Sequence, residues 1–185
     1  MTTLQDADLK QMQEALIALK DSSRNSDVGV LFYSGHGLGL DGDAYLIPVD
    51  ATFTDEASAK SSSLSISFLL KDFLQSKRKI VFYDADLANP FETYGARTID
   101  PSPKNTLISY AAMRGEVVLD GDRQKNSPFT TALLQHLDDP QDIAIVLRKV
   151  RERVVSTTNG KQEPWEYGSL TGGELVLSRI KAGMR

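Results

Sequence analysis

Two short apolar runs that stop abruptly at polar residues constrain the fold more than any other feature. Residues 28–33 (VGVLFY) stop at a Ser-Gly pair, and residues 79–83 (KIVFY) stop at Asp84. A third run, residues 106–111 (TLISYA), has the same character. Short, nearly continuous apolar runs are typical of strands that are buried on both faces of a parallel sheet. The sequence therefore predicts a mainly parallel sheet.

Helical periodicity between these runs predicts the helices that cover such a sheet. Apolar residues recur at helical spacing within residues 6–20, after a serine cap at residues 61–63, from Pro128 onward and again after Pro140. Serine caps and proline in the first turn are common helix starts. Strands that alternate with helices predict the α/β class. We expect a single α/β domain over residues 1–185.

Other segments are less regular. The glycine-rich stretch up to Asp43 is predicted as a loop, and residues 88–104 as an excursion loop, because both contain many turn-forming residues. Residues 45–49 are predicted as a short strand, which Pro48 confines to an edge position or to an irregular segment because proline cannot donate to a sheet. Residues 175–177 are predicted as the last strand.

Composition excludes several classes of function. The chain has 185 residues, a formal net charge of -4 and no cysteine. This charge gives no general attraction to nucleic acid or to an anionic membrane. Without cysteine there is no disulfide and no thiolate metal site. No apolar run reaches the ~18 residues of a membrane span, and the polar, acidic first residues do not form a signal peptide. We therefore expect a cytoplasmic protein.

Polar residues with possible chemistry follow the first two strands. In open α/β sheets the functional crevice lies beyond the carboxyl ends of the strands, where both His36 and Asp86 fall. The glycines that flank His36 allow a sharp turn and leave an amide for a developing oxyanion. In the alternative interpretation, His36 is a structural histidine and Asp86 caps a loop. A metal site of Asp84, Asp86 and His36 has no supporting motif spacing, so we expect neither a metal nor a cofactor.

Six blocks, read in order, resemble those of bacterial metacaspase-like and other caspase-like cysteine peptidases. The resemblance covers most of the chain from residue 28 onward. It implies a caspase-like three-layer sandwich with a mainly parallel central sheet. The blocks are FYSGHG at 32–37, YLIPVDA at 45–51, IVFYDA at 80–85, LISYAA at 107–112, NSPFT at 126–130 and QEPW at 162–165.

This resemblance implies a role for each site residue. His36 matches the catalytic histidine, and the Gly37 N–H matches a donor to the oxyanion. Asp86 stands where the family has its nucleophilic cysteine. Asp84 matches an acidic residue of the pocket that binds Arg or Lys before the cleaved bond. The strand that aligns the substrate backbone by strand addition is matched by Ser109, Tyr110 and Ala111.

The aspartate at position 86 argues against peptidase activity, because a carboxylate cannot replace a thiolate nucleophile. Relatives often carry Arg after the cysteine, whereas this chain has Leu87. We therefore predict a pseudopeptidase that acts as a binding or regulatory module for a protein or peptide. Two alternatives stay open. One is a cysteine endopeptidase that cleaves after Arg or Lys in its native form and is represented here by an altered sequence. The other is an Asp-His site for a different hydrolysis.

The resemblance also implies strands ahead of residue 28 that this sequence does not contain. We therefore expect an N-terminally truncated sheet in which residues 28–33 form an exposed edge. An exposed edge favours a homodimer, or pairing with a related caspase-like chain. An incomplete gene model or a trimmed chain is the simpler alternative. No acidic cluster is specific enough to predict calcium dependence.

Overall fold

The three apolar runs form adjacent parallel strands in a computed structural model that describes residues 1–91, 104–113, 115–116, 118–121 and 125–182. The strands are β1 (Val28–Ser34), β2 (Gly37–Leu40), β3 (Asp43–Leu46), β4 (Leu64–Ser65), β5 (Arg78–Asp84), β6 (Thr106–Tyr110) and β7 (Trp165–Gly168). The helices are α1 (Leu9–Ser23), α2 (Glu56–Ser61), α3 (Ile66–Asp72), α4 (Pro128–His136), α5 (Ile143–Thr157) and α6 (Leu177–Ala182).

The main sheet has four strands in the order β1-β5-β6-β7. Strands β1, β5 and β6 are parallel, and β7 is antiparallel to β6. The expectation of an α/β fold with a mainly parallel central sheet is therefore confirmed. Strands β2, β3 and β4 form a separate antiparallel sheet of three strands.

Alternating side chains of β5 build a core on each face of the main sheet. Val81 and Tyr83 pack in one cluster with residues of α1, α3, β3 and β6. Ile80 and Phe82 point to the other face, where they pack with α4 and α5. Successive side chains of a strand point to opposite faces, so one apolar run supplies both cores. The result is a helix layer on each side of the sheet.

Strand β1 differs from the prediction that it is buried on both faces. It lies at the end of the main sheet, and the side chains of Val30 and Phe32 are each 47% exposed. Both belong to the face that α4 and α5 cover over β5, and neither is part of the cluster packed there. On that face only Val28, at the start of the strand, packs against the cluster, whereas Leu31 and Tyr33 pack against the core of the opposite face.

Glycine did not prevent strand formation in the segment predicted as a loop. Residues 37–40 form β2 because they pair with β3 across a tight turn. Asp41 and Gly42 both have positive φ in this turn, as a two-residue hairpin of this kind requires. Strand β3 ends at Leu46, before Pro48.

The helix predicted after the serines at 61–63 begins later. Its N-cap is Ser65, whose hydroxyl accepts a hydrogen bond from the Phe68 amide, while Ser61 ends the preceding helix α2. Most of the predicted excursion loop, residues 92–103, lies outside the described residues. None of the helices that the structure describes combines the length and apolar character needed to cross a bilayer.

The strand predicted at residues 175–177 is not formed. The Leu175 amide donates to the Asp142 carboxylate at 2.8 Å, and the Leu175 carbonyl accepts from the Ile143 amide at 2.8 Å. The start of α5 therefore satisfies backbone groups that a neighbouring strand would otherwise pair. Leu175 and Val176 are buried in this irregular segment, which explains their apolar character. The last strand of the main sheet is β7.

Removal of the Asp142 side chain is expected to destabilise the fold. Its two oxygens accept from Ala144 and Leu175, so they cap α5 and hold the segment that follows β7. We expect Asp142→Ala to lower the free energy of unfolding by about 1–2 kcal/mol, as the loss of a helix cap typically does. Urea denaturation measures the change. Glu152→Ala on the exposed face of α5 is the control and should change stability by less than ~0.5 kcal/mol.

Candidate functional site

The carboxyl ends of β1 and β5 lie side by side. The two strands are in parallel register, with Ser34 beside Asp84, and the Gly35 amide donates to the Asp84 carbonyl at 3.2 Å. Parallel neighbours leave a sheet at the same edge. The segments that follow, one with His36 and the other with Asp86, therefore start from adjacent points.

Gly37 and Asp86 are in contact through their backbones. A Cβ atom at Gly37 would lie 2.5 Å from the Asp86 carbonyl oxygen and would overlap the Tyr83 hydroxyl. Just beyond, the Gly39 amide donates to the Ala88 carbonyl at 3.1 Å. The structure thus brings together two of the residues that the sequence singled out, and it does so at a position where no side chain fits.

The pairing of β2 with β3 determines where the Gly37 amide points. The Ile47 amide donates to the His36 carbonyl, and antiparallel ladders alternate between hydrogen-bonded and non-hydrogen-bonded pairs. Gly37 and Gly39 therefore belong to pairs whose amides point away from β3. The Gly39 amide meets the segment after β5, and the Gly37 amide points to the same side. This direction is the one that an oxyanion donor beside Asp86 needs.

Two tyrosines hold this arrangement, and neither was assigned a role from the sequence. Tyr33 and Tyr83 stack with ring centroids 5.6 Å apart. The Tyr33 hydroxyl donates to the His36 carbonyl at 2.5 Å, and the Tyr83 hydroxyl donates to the Tyr45 carbonyl at 2.8 Å. Burial raises the pKa of Tyr83 well above its usual value, so this hydroxyl remains a donor. The sequence signal was a tyrosine at the end of each of the two adjacent strands.

The side chains of His36 and Asp86 are both exposed. One Asp86 carboxylate oxygen accepts a hydrogen bond from the Val118 amide at 3.4 Å. In the described part of the chain, no hydrogen bond or ion pair joins Asp86 to His36. The carboxylate therefore contacts residues 118–121, a segment that is distant in sequence, and the His36 imidazole is open to solvent.

Asp84 lies beneath the surface beside this pair, with only 4% exposure. Its carboxylate accepts hydrogen bonds from the Ser127 hydroxyl at 2.5 Å and from the Thr130 hydroxyl at 2.6 Å. Burial raises the pKa of Asp84, the two hydrogen bonds oppose that shift, and the charge of Asp120 adds to it. The predicted pocket residue is thus a buried carboxyl with a raised proton affinity.

A cavity of about 350 Å³ opens next to Asp84. The Ser127 and Thr130 side chains that bind the Asp84 carboxylate also line this cavity. Asp120 contributes a second carboxylate, and Lys125 lies on the wall as well. The edge strand β1 supplies Phe32 and Ser34.

The prediction of strand addition at Ser109, Tyr110 and Ala111 does not agree with the structure. Strand β6 is flanked by β5 and by β7, with Ser109 opposite both Phe82 and Glu166. The Ala111 amide donates to Tyr83, and the Ala111 carbonyl accepts from Gln162. These three residues therefore offer no open edge to a substrate strand. Their side chains are buried.

Gln162, like Tyr33 and Tyr83, belongs to a quoted sequence block but received no role from the sequence. Its buried amide donates to the Ala111 carbonyl at 2.9 Å and accepts from the Leu119 amide at 3.0 Å. It therefore fixes residues 118–121, which contact Asp86 and line the cavity, to the end of β6. Within the described ranges, no cluster of three or more His, Asp or Glu side chains is arranged to hold a metal ion.

Comparison with known families agrees with this architecture. A family model described as the caspase domain matches residues 1–173. The chain belongs to the caspase family. No curated protein matches it. Within a caspase domain, the ends of β1 and β5 are the positions where the sequence resemblance assigned the histidine and the nucleophile.

Substitution of Gly37 tests the close contact between the two segments. We expect Gly37→Ala to lower the free energy of unfolding by about 1–3 kcal/mol, because the added methyl group meets the Asp86 backbone and the fixed Tyr83 hydroxyl. Gly173→Ala is the matched control, since an added Cβ there meets no atom within 4 Å. Equal stability of the two variants in urea would contradict the contact.

The pH dependence of stability tests the buried carboxyl of Asp84. A carboxyl whose pKa is raised by folding binds its proton more tightly in the folded state than in the unfolded chain, where its pKa is ~3.9. Its stabilising contribution is complete below that value and is lost as pH rises through the raised pKa. We expect the wild type to lose stability relative to Asp84→Asn between about pH 4 and neutrality. A pH-independent difference in urea denaturation would refute the shift.

Proposed function

We propose that this caspase domain is a pseudopeptidase of the metacaspase type, which binds peptides with basic side chains and does not cleave them. The observation that carries the proposal is Asp86, which lies two residues beyond the end of β5. Its backbone is in contact with Gly37, the first residue of β2. The surrounding geometry fits peptide recognition, while the group that would attack the peptide is a carboxylate.

The chemistry of Asp86 argues against acyl transfer. A cysteine peptidase needs a thiolate as nucleophile and an imidazole that accepts and returns a proton. A carboxylate is a far weaker nucleophile than a thiolate, and in the part of the chain that the structure describes no hydrogen bond joins Asp86 to His36. The carboxylate of Asp86 instead accepts a hydrogen bond from Val118. In this proposal, the Asp86 carboxylate accepts a hydrogen bond that stabilises the binding surface.

The acidic cavity suits an Arg or Lys side chain. Asp120 lines the cavity, and the Asp84 carboxylate lies directly behind the hydroxyls of Ser127 and Thr130. Two carboxylates therefore stand against the ammonium of Lys125. Hydrogen bonds between a guanidinium and a carboxylate are among the stronger polar contacts in proteins. The Gly37 amide, which is directed away from β3, would bind the backbone carbonyl of that Arg or Lys residue. The ligand class is therefore a peptide with an Arg or Lys side chain.

Peptide turnover tests the absence of catalysis. Fluorogenic Arg and Lys peptides should show no turnover with the unaltered chain, and Asp86→Cys should cleave them if the rest of the site is intact. Asp86→Ala is the matched control, because it removes the carboxylate without supplying a thiol. Cleavage by the unaltered chain that disappears in His36→Ala would refute the proposal. If Asp86→Cys cleaves the peptides and the other proteins do not, the result also supports descent of this chain from an active endopeptidase.

Peptide binding tests the pocket independently of turnover. We expect an Arg peptide to bind at least tenfold more weakly to Asp84→Asn than to the unaltered chain, because a charge-assisted hydrogen bond is worth about 1.5–3 kcal/mol. Fluorescence anisotropy with a labelled peptide measures the affinity. A peptide with Gln in place of Arg should bind both proteins equally. Asp21→Asn, an exposed change near the end of α1, should leave the affinity for the Arg peptide unaltered.

A further inference from the structure

The outer edge of β1 lacks the devices that usually protect an edge strand. Strand β1 spans seven residues and contains no charged side chain and no proline. In the ranges that the structure describes, β5 is the one strand that pairs with it. Natural proteins usually block such edges with charge, proline or a bulge, since an open edge recruits another strand.

Hydrogen bonds at the two ends of β1 show which backbone groups face outward. The Gly35 amide donates to Asp84, and the Asp27 carbonyl accepts from Arg78. Backbone groups of successive residues point to opposite sides of a strand, so the odd-numbered residues of β1 face β5. The amides and carbonyls of the even-numbered residues therefore point to the open side. These residues are Val28, Val30, Phe32 and Ser34.

Apolar side chains accompany this open edge. Val30 and Phe32 are half exposed on the face of α4 and α5. Phe32 lines the cavity together with Thr130 of α4, and Leu134, which is 61% exposed, lies one turn further along the same side of that helix. Val30 and Phe32 thus place exposed apolar side chains on the open edge itself, and Leu134 adds another on a helix of the same face.

We propose that β1 pairs with β1 of a second copy of this chain, antiparallel and about a two-fold axis at Leu31. The strand is self-complementary in this register. Val30 lies opposite Phe32 of the second copy, and each such pair exchanges two backbone hydrogen bonds because both residues face outward. On the other face, Gly29 lies opposite Tyr33, so this pair does not set two large side chains against each other. The two main sheets join into one continuous sheet.

Charge favours the antiparallel orientation. The amino end of the β1 and β5 pair carries Lys77, which binds Asp27, and also Arg78. The carboxyl end carries three carboxylates, Asp84, Asp86 and Asp120, against the ammonium of Lys125. Antiparallel pairing places the basic end of one copy beside the acidic end of the other, whereas a parallel arrangement would bring like charges together.

The second copy contributes to the binding site in this arrangement. Ser34 and Phe32 line the cavity from the open edge, and the register places Val28 and Val30 of the second copy directly opposite them. The second strand therefore forms a side wall of the cavity. This consequence for peptide binding rests on the proposed function, while the dimer itself does not.

The absence of cysteine allows a direct test of the register. Single cysteines are introduced at positions 30, 31 and 32 of the full chain, which otherwise contains none. Two-fold pairing places the two Leu31 Cα atoms about 4.5 Å apart, within the range for a disulfide. We expect Leu31→Cys to form a disulfide dimer upon mild oxidation, whereas V30C or F32C alone should not, since each is diagonal to its own copy. A mixture of V30C and F32C should form the mixed dimer.

A dominant V30C or F32C self-dimer would overturn the register. Cross-linking at none of the three positions, with every variant folded by circular dichroism, would overturn the strand pairing. Because these results need no peptide, they remain interpretable whether or not the proposed function is correct.

Sedimentation measures the association of the unaltered chain. We expect a dimer whose dissociation constant rises at least tenfold in Val30→Lys, which places a charge on the edge. Phe68→Lys is the matched control, because Phe68 is 49% exposed on α3, and it should associate as the unaltered chain does. A monomer at all concentrations overturns the proposal. If the amides of Val30 and Phe32 are then slow to exchange hydrogen, another segment of the same chain covers the edge.

Discussion

The parallel pairing of β1 with β5 is the interaction on which the rest of the site depends. Its register sets Ser34 beside Asp84, so that both strands end at the same level. A shift by one residue would turn every side chain of β1 to the opposite face and would separate the stacked Tyr33 and Tyr83. These rings support the two segments that carry His36 and Asp86. The positions of the candidate site residues thus follow from one strand pairing.

Local sequence predicted the elements whose stability is local. The apolar run alone was enough to predict β5, because the side chains on both faces of this strand are buried. Ser127 with Pro128 predicted the start of α4, since capping depends on the nearest residues. Elements decided by distant partners were missed. Strand β2 forms because β3 returns to pair with it, and the segment before α6 forms no strand because Asp142 and Ile143 bind the backbone of Leu175.

The site shows the same division. Gly37 and Asp86 were proposed from the sequence because they follow the apolar runs of two strands, and Asp84 was proposed from the family resemblance. Their supports were missed, since Tyr83 and Gln162 bind backbone atoms of segments that are far away in sequence. Every residue has a backbone carbonyl, so the sequence does not indicate which carbonyl accepts such a hydrogen bond. For the same reason the resemblance misplaced strand addition at Ser109 and Tyr110, where β7 occupies the edge that a peptide would need.

The buried carboxyl of Asp84 couples its own ionisation to whatever enters the adjacent cavity. Burial raises its pKa, so part of the carboxyl population is protonated at a pH where exposed aspartates are fully ionised. A cation bound against it stabilises the ionised form and releases that proton. Measured heats of cation binding would then depend on the ionisation enthalpy of the buffer, and apparent affinity would rise with pH. One buried acid thereby makes occupancy of the cavity sensitive to the acidity of the surroundings.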